Sequence, residues 1–140
     1  MEFRIQSDTV GIDWNDVANI LQKAGMAYRS GEIHQRAFEK SQAVIFVFDN
    51  ESLIAFGRML SDGEYQSAIY DVAVLPEYQG QGIGKLIVDH LVQTTPGCNI
   101  ILYAAPGKEL FYEKIGFRRM KTGMALFAAA DIMREKGFTE

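Results

Sequence analysis

Residues 80–84 read Gly-Gln-Gly-Ile-Gly, and this run of alternating glycines constrains the fold more than any other part of the chain. Residues 69–75, just upstream, are rich in β-branched and aromatic side chains and are followed by Pro76, as expected of a strand that ends there. Downstream, apolar residues recur at the spacing of one helix face. They are Ile83, Leu86, Ile87, His90 and Leu91. The stretch therefore predicts a strand, a glycine turn and a helix.

A glycine turn that leads into a helix is a site for an anion. Glycines leave backbone N–H groups uncovered, and the positive end of the helix dipole lies at the same place. The turn does not fit a nucleotide P-loop, because Lys85 is followed by Leu86 rather than by a hydroxyl residue for Mg²⁺. It also fails the dinucleotide pattern G-x-G-x-x-G, since its third glycine comes one residue early. The pattern predicts a different phosphate-bearing ligand.

The motif Gln-Gly-Gln-Gly-Ile-Gly at residues 79–84 resembles the acetyl-coenzyme A signature Q/R-x-x-G-x-G/A of the GCN5-related N-acetyltransferases, the GNAT family. A second segment, Phe-Tyr-Glu-Lys-Ile-Gly-Phe at residues 111–117, resembles another motif of that family. The resemblance implies acetyl-CoA as cosubstrate and the family's acyl-CoA N-acyltransferase fold with splayed central strands. It implies contacts to acetyl-CoA from the following residues: Val72, Ala73, Val74, Gln79, Gly80, Gln81, Gly82, Ile83, Gly84, Ala104, Gly107, Phe111 and Tyr112. Lys85 and Lys108 are candidate neighbours of the phosphates, and the alternative for both is a solvated surface lysine.

One position departs from the family pattern. Many members carry an asparagine a few residues before the tyrosine that matches Tyr112, and this asparagine bonds the pantetheine arm. The present chain has Pro106 at that place. We expect backbone groups around Ala104 and Gly107 to hold the arm instead.

Tyr112 is the candidate general acid. On the helix predicted for residues 108–115, it falls at the end of the apolar arc of Leu110, Phe111 and Ile115 rather than inside it. The resemblance implies that its hydroxyl protonates the departing CoA thiolate, and a general acid there lowers the barrier for loss of the leaving group. The alternative is an amphipathic tyrosine at a domain edge.

Asp71 is the candidate general base. A carboxylate in an otherwise apolar strand is costly to bury unless it is paired or faces a cleft. In the plant serotonin N-acetyltransferase branch of the family, which this segment resembles, an aspartate stands just before the pattern V-x-V-x-P-x-Y. The open alternative is a structural aspartate bonded to backbone or to an arginine. Strand alternation predicts two faces: Asp71, Ala73 and Leu75 on one, and Tyr70, Val72 and Val74 on the other.

Length and composition set the outer bounds. At 140 residues, with 48% hydrophobic and 23% charged residues, the chain is expected to form one domain over residues 1–140. The net charge of -4 argues against nucleic acid as a partner, and no apolar run or signal-peptide layout points to a membrane. A single cysteine, Cys98, suits a reducing compartment, so we expect a cytoplasmic protein. Two histidines and one cysteine without metal-ligand spacing predict no metal site.

The remaining pattern predicts a mixed α/β (α+β) domain, in which an antiparallel N-terminal meander precedes a parallel βαβ crossover. Asp13 and Ser30 are expected to cap two N-terminal helices, and Gly57 to mark a bulge or a close backbone approach. Strands are predicted at residues 2–6, 44–48, 53–60, 69–75 and 100–103, with one or two more in 118–127. Helices are predicted at residues 13–25, 32–41, 83–91, 108–115 (ended by Gly116) and 128–136.

Together these features indicate direct transfer of the acetyl group of acetyl-CoA to the primary amine of a small molecule. No acyl-enzyme is expected, because Cys98 is not placed as a nucleophile. Tyr28, His34 and Tyr65 are the candidates for the acceptor side. The resemblance implies that the helix of His34 flanks the acceptor site; the alternative for Tyr28 and Tyr65 is ordinary core packing, and for His34 a structural histidine. Two alternatives remain: a protein or peptide N-acetyltransferase of the same fold, and a non-catalytic acyl-CoA sensor. The apolar segment 124–130 suggests a homodimer contact.

Overall fold

The computed structural model describes residues 2–140, which form one five-stranded sheet and five α-helices. The strands are Arg4–Gln6 (β1), Ala43–Asp49 (β2), Ser52–Ser61 (β3), Gln66–Val74 (β4) and Asn99–Ile101 (β5). The helices are Trp14–Lys23 (α1), Gly31–Glu39 (α2), Ile83–Gln93 (α3), Glu109–Lys114 (α4) and Ala130–Glu135 (α5). A short 3-10 turn, Pro76–Tyr78, lies between β4 and α3. The chain forms two compact units, the first ending at Leu102 and the second comprising Tyr103–Glu140. That the chain acts as one domain stays a prediction.

The order of strands in the sheet follows the chain, β1-β2-β3-β4-β5. The first four strands pair antiparallel, whereas β5 runs parallel to β4 after the crossover through α3. This mixed sheet confirms the predicted fold class. Because β5 pairs only with residues 66–68, β4 continues to Val74 without a β5 partner. The two parallel strands therefore part midway, as the resemblance implies for the central strands.

The two N-terminal helices begin where the sequence predicts. The side chains of Asp13 and Ser30 accept backbone N–H hydrogen bonds at 3.0 and 3.4 Å. These bonds satisfy amides that have no partner inside the helix, so they fix the starts of α1 and α2. Both helices end slightly earlier than predicted, at Lys23 and Glu39.

Apolar side chains cover both faces of the sheet in the first unit. On one face, α1 and α2 pack over a cluster rich in phenylalanine: Val17, Ile20, Leu21, Phe38, Val44, Phe46, Phe48, Leu53, Phe56 and Ala73. On the other face, α3 buries Ile83, Ile87, Val88 and Leu91. The predicted stripe of α3 is wrong at Leu86, which is only half-buried, and it missed Val88, which is buried; His90 lies on the stripe as a half-buried histidine. His90 Nε2 lies 3.2 Å from Ser7 Oγ.

Gly57 lets α3 lie directly against the sheet, which confirms the predicted close backbone approach. A Cβ atom at this position would stand 2.7 Å from Ile87 Cγ2 and 3.3 Å from Leu91 Cδ1. Any larger residue would push the helix off the strand. Ile87 and Leu91 are thus the α3 side chains nearest to Gly57. With these two residues against the sheet, Val88 is buried and His90 is only half-buried.

In the second unit, α4 ends as predicted. Gly116 has φ of 106°, its N–H donates to the Glu113 carbonyl at 3.1 Å, and the Phe117 N–H donates to the Tyr112 carbonyl at 3.0 Å. This pair of bonds is a Schellman ending, which requires a residue that tolerates positive φ at the position of Gly116.

The strands predicted for residues 118–127 are wrong, since no strand follows β5 in the part of the chain that is described. Phe127 instead packs edge-on against Tyr103 and Phe138, with ring centroids 5.4 and 6.4 Å apart. A β-type side-chain pattern forms a strand only where a neighbouring strand edge offers hydrogen bonds. Here Phe127 makes ring contacts, and residues 118–127 make no strand pairing in the described part of the chain. The final helix, α5, is also shorter than predicted.

Candidate active site

The glycine turn joins the end of β4 to α3 and carries backbone N–H groups without helical partners. Gly80 and Gly82 have φ of 80° and 82°, a region that glycine adopts without strain. Gly82 is the N-cap of α3 and makes no side-chain cap hydrogen bond, and the first helical bond runs from the Leu86 N–H to the Gly82 carbonyl at 3.1 Å. The N–H groups of residues 83–85 therefore have no partner within the helix. A Cβ at Gly80 or Gly82 would meet nothing within 4 Å, so the turn borders open space.

The turn has the features of an anion site, and its contact with the pyrophosphate of acetyl-CoA stays a prediction. Free N–H groups at a helix start and the positive end of its dipole stabilise anionic oxygens, and the open space lets a ligand approach the backbone. The Lys85 ammonium is engaged elsewhere, since its Nζ pairs with Asp89 Oδ2 at 2.6 Å. The backbone of the turn, rather than that lysine, is the built part of the anion site.

The other residues of the first unit that are predicted to contact acetyl-CoA differ in how exposed their side chains are. Ala73 and Ile83 bury their side chains, with 2% and 3% exposed, so only their backbones can contact a ligand. The segment from Gln79 to Gly82 is exposed. Val72 and Val74 are half-buried on the stretch of β4 that has no β5 partner. The contacts of all these residues with acetyl-CoA stay predictions.

Asp71 sits in a bulge of β4. Phe56 pairs with Ala73 and Arg58 pairs with Tyr70, so two residues of β4 lie opposite the single residue between them on β3. Asp71 is the extra residue, and its φ of 57° is one that aspartate tolerates better than most side chains. The bulge is thus on β4.

The bulge changes the predicted alternation of side chains. The Arg58 Nε donates to Asp71 Oδ2 at 2.6 Å, while the guanidinium carbon lies 5.4 Å from the Tyr70 ring centroid and 5.7 Å from that of Phe38. Asp71 and Tyr70 therefore share the face that α2 covers, and the prediction that Tyr70 lies on the opposite face is wrong. The physical reason is the extra residue, which shifts the period-two pattern by one position.

The ion pair between Asp71 and Arg58 matches the alternative in which Asp71 is a structural aspartate bonded to an arginine. The exposed fractions of the two side chains are 16% for Arg58 and 25% for Asp71, so both are largely withdrawn from solvent. A role of Asp71 as general base stays a prediction. Arg58 was not apparent from the sequence; its signal, an opposite charge on the paired strand, is readable only once the register and the bulge are known.

His34, on α2, is close enough to this ion pair for both charges to affect its pKa. Its side chain is 5% exposed, and Nε2 accepts the Arg29 N–H at 2.9 Å, which requires a neutral ring with its proton on Nδ1. Burial lowers the pKa of His34; Asp71 opposes that shift, whereas Arg29 and Arg58 add to it. We call Arg58, Asp71, His34 and Tyr70 the Asp71 cluster. It is a polar group on the α2 side of the sheet.

The two tyrosines expected on the acceptor side lie in different places. Tyr28 is exposed and directly precedes Arg29, whose N–H bonds His34 of the Asp71 cluster. Tyr65 is exposed in the turn before β4, where its carbonyl accepts the Asn99 N–H at 2.9 Å. That position is at the start of β4, at the other end of the strand from the glycine turn.

Tyr112, in the second unit, is half-buried on α4. Its ring packs edge-on between Phe111 and Phe117, with centroids 4.9 and 5.7 Å away. Burial raises the pKa of the Tyr112 hydroxyl above its ordinary value of 10.0, so the group is protonated at neutral pH. It is therefore in the form that a proton donor requires.

The backbone near Pro106 offers less than expected. The Gly107 N–H donates to Glu109 Oε1 at 2.6 Å and is thus engaged inside its own turn. Lys108 is exposed and Ala104 is half-buried. Of the two positions proposed to replace the family asparagine, Ala104 is the one whose amide is not occupied by that carboxylate.

Comparison with known families decides what kind of chain carries this site. Residues 40–119, more than half of the chain, match the family model described as the acetyltransferase (GNAT) domain. The chain belongs to the GNAT family. The matched range begins before β2 and ends beyond the Schellman turn of α4, so it includes the glycine turn, Asp71 and Tyr112.

One curated relative of this GNAT chain carries a name that bears on function. It is 32% identical over 123 residues to serotonin N-acetyltransferase 2, chloroplastic, of rice (Oryza sativa subsp. japonica), which covers 82% of this chain and 61% of the relative. The chain spans about three fifths of the length of the curated relatives it matches first.

Solved structures share the fold. A probable acetyltransferase from methicillin-resistant Staphylococcus aureus superposes with a TM-score of 0.79 at 25% identity, covering 90% of this chain and 99% of that one. The ribosomal-protein-S18-alanine N-acetyltransferase of Escherichia coli gives a TM-score of 0.69 at 22% identity, covering 86% and 80%. At that identity the second likeness bears on the fold alone.

Proposed function

We propose that this protein transfers the acetyl group of acetyl-CoA to the primary amine of a small molecule. The observation that carries the proposal is the glycine turn of a GNAT chain, with the N–H groups of residues 83–85 unpaired within α3 and open space beside Gly80 and Gly82. The backbone of β4 beyond residue 68, which lacks a β5 partner, is the natural track for the pantetheine arm. Val72 and Val74 lie on that track.

The chemistry follows from the residues named above. Acetyl-CoA supplies an activated acetyl thioester. The neutral amine nitrogen forms a bond to the carbonyl carbon, the carbon–sulfur bond breaks, and the amine loses one proton. Tyr112 donates its hydroxyl proton to the departing sulfur. Asp71, or a water that it orients, takes the proton from the amine, and the half-buried Cys98 plays no part.

The Asp71 cluster favours a neutral aromatic acceptor skeleton over a polycation. Its acid is already paired with Arg58, and Arg29 and Arg58 both act on His34 as neighbouring positive charges. A second ammonium on the acceptor would meet those charges unfavourably. Tyr28 and the half-buried Tyr70 offer aromatic surface, and the rice relative carries the name of a serotonin N-acetyltransferase. An arylalkylamine fits these features best.

Thiol release from acetyl-CoA in the presence of an amine panel tests the function. The panel contains tryptamine, spermidine and a peptide with a free N-terminal alanine. We expect thiol release that depends on the amine and is fastest with tryptamine. Release with the peptide alone would favour a protein acetyltransferase. Acetyl-CoA binding without thiol release on any amine would favour the non-catalytic sensor.

We also propose that the protein is a homodimer and cytoplasmic. Met124 and Leu126, within the apolar segment 124–130, have exposed fractions of 95% and 102%, which leaves apolar surface for a second copy. A monomeric mass by light scattering would contradict the dimer. Among residues 2–140, no helix combines the length and apolarity needed to cross a bilayer. The rice relative is named as chloroplastic, so fractionation should compare both compartments.

A further inference from the structure

Tyr78 connects the segment before the glycine turn to a different part of the sheet. Its hydroxyl donates to Asp49 Oδ2 at 2.5 Å. Asp49 is the last residue of β2, whereas Tyr78 closes the 3-10 turn two residues before Gly80. The bond therefore joins the β2–β3 hairpin to the chain just ahead of the candidate anion site.

The surroundings hold both partners in place. Phe3 packs edge-on against the Tyr78 ring, with centroids 6.1 Å apart. At the other side of the bond, the β2–β3 register shifts between Val47 and Phe48, and Asp49 pairs with Ser52 across the hairpin. The hydrogen bond to Asp49 is also the main reason that the pKa of Tyr78 is raised, so the hydroxyl stays protonated as a donor.

Backbone bonds within the segment before the turn are local: the Tyr78 N–H donates to the Leu75 carbonyl at 2.9 Å and the Gln79 N–H to the Pro76 carbonyl at 3.2 Å. The Leu75 N–H donates to the Ile54 carbonyl at 2.9 Å, which is where the segment leaves β3. Beyond it, the Gln79 side chain donates to the Val74 carbonyl at 3.0 Å. Gly80 then adopts a left-handed conformation. Because glycine has no Cβ, its side chain does not restrict the backbone to that conformation. Within the described part of the chain, the Tyr78–Asp49 bond is thus the last long-range hydrogen bond before Gly80 and Gly82.

We propose that Tyr78 and Asp49 are positioning residues that hold the glycine turn in the conformation that binds the pyrophosphate of acetyl-CoA. This inference rests on the proposed function. A ligand that binds a turn already held in place pays less ordering entropy, so loss of the link lowers affinity for acetyl-CoA. It leaves the chemical step unchanged, because neither residue is assigned to proton transfer.

Calorimetric titration of acetyl-CoA into the wild type and three single variants tests the pair. Tyr78→Phe removes only the hydroxyl, Asp49→Ala removes the acceptor, and Glu51→Ala is a matched acidic control in the same hairpin. We expect Kd for acetyl-CoA to rise about 10-fold in each of the first two variants, as for loss of a hydrogen bond to a charged group, and to stay unchanged in the control. The double variant should be no weaker than the weaker single variant, since the two changes remove the same bond.

Two kinetic readouts separate positioning from a general loss of structure. The rate at saturating acetyl-CoA should stay within about twofold of wild type. The kcat/KM for acetylpantetheine, which lacks the pyrophosphate, should be equal in Tyr78→Phe and wild type. Wild-type affinity in both Tyr78→Phe and Asp49→Ala, or additive losses in the double variant, would overturn the inference alone. A wild type that does not bind acetyl-CoA would overturn the proposed function and this inference with it.

Discussion

The Arg58 Nε donates to Asp71 Oδ2 at 2.6 Å, across the point where β4 bulges and the backbone of Asp71 turns to a positive φ. The ion pair keeps a carboxylate on the α2 face of the sheet, where His34 lies near it. The bulge by itself would only change the direction of the Asp71 side chain. The arginine also satisfies its charge, which makes a largely buried aspartate tolerable at this position.

Asp71→Asn should lower the free energy of unfolding by about 1–3 kcal/mol, because it leaves the Arg58 guanidinium without its charged partner. The measurement is urea denaturation at pH 7. Asp89→Asn is the matched control, because it breaks the ion pair with Lys85. The side chains of Lys85 and Asp89 are 60% and 44% exposed, so the free energy of unfolding should change little. Equal losses in the two variants would show that the Arg58 pair contributes no more than a surface pair.

Gly57→Ala should destabilise the protein by about 1–3 kcal/mol, because the new Cβ would stand 2.7 Å from Ile87 Cγ2 and force α3 off the sheet. Thermal and urea unfolding both report this change. Gly123→Ala is the control, since a Cβ there would meet its nearest atom, Met120 Cβ, at an ordinary 3.6 Å. A Gly57→Ala variant as stable as the control would contradict the close approach of α3.

His34 should make stability depend on pH. Its folded-state pKa is lowered below the ordinary 6.5, so the unfolded chain binds the proton more readily. The contribution of His34 is fully present above pH 6.5 and is lost as pH falls from 6.5 towards the folded-state pKa. Protonation also removes the acceptor of the Arg29 N–H. Urea midpoints from about pH 5 to 7.5 measure the slope.

The matching variants for that slope are His34→Gln and His90→Gln. Glutamine at position 34 can accept the Arg29 N–H and does not titrate, so the pH dependence in this window should shrink. It should persist in His90→Gln. If the pH dependence persists in His34→Gln and disappears in His90→Gln, the assignment to His34 is contradicted.

Local features of the fold could be predicted from the sequence because the information for them is local. Asp13 and Ser30 cap helices through bonds to amides within three residues, and Gly116 ends α4 through its own positive φ. The strand–turn–helix order around residues 80–84 follows for the same reason. Such elements depend on neighbouring residues and not on the rest of the fold.

Features that depend on register could not be predicted. The bulge at Asp71 is set by pairing with β3, so Arg58 as its partner, and Tyr70 on the same face, follow only from that pairing. The Tyr78–Asp49 bond joins residues 29 apart in sequence. The pattern of residues 118–127 is typical of a strand, but the side chain of Phe127 packs with Tyr103 and Phe138 instead.

The most direct test of the central claim is the initial rate of amine acetylation by acetyl-CoA, measured in the wild type and in Tyr112→Phe. The wild type should form the acetylated amine and release one thiol for each product. Tyr112→Phe should lose about 10- to 1000-fold in rate while keeping its affinity for acetyl-CoA and its melting temperature, since only the proton donor is removed. No product from the wild type with any amine, or an unchanged rate in Tyr112→Phe, would contradict the account.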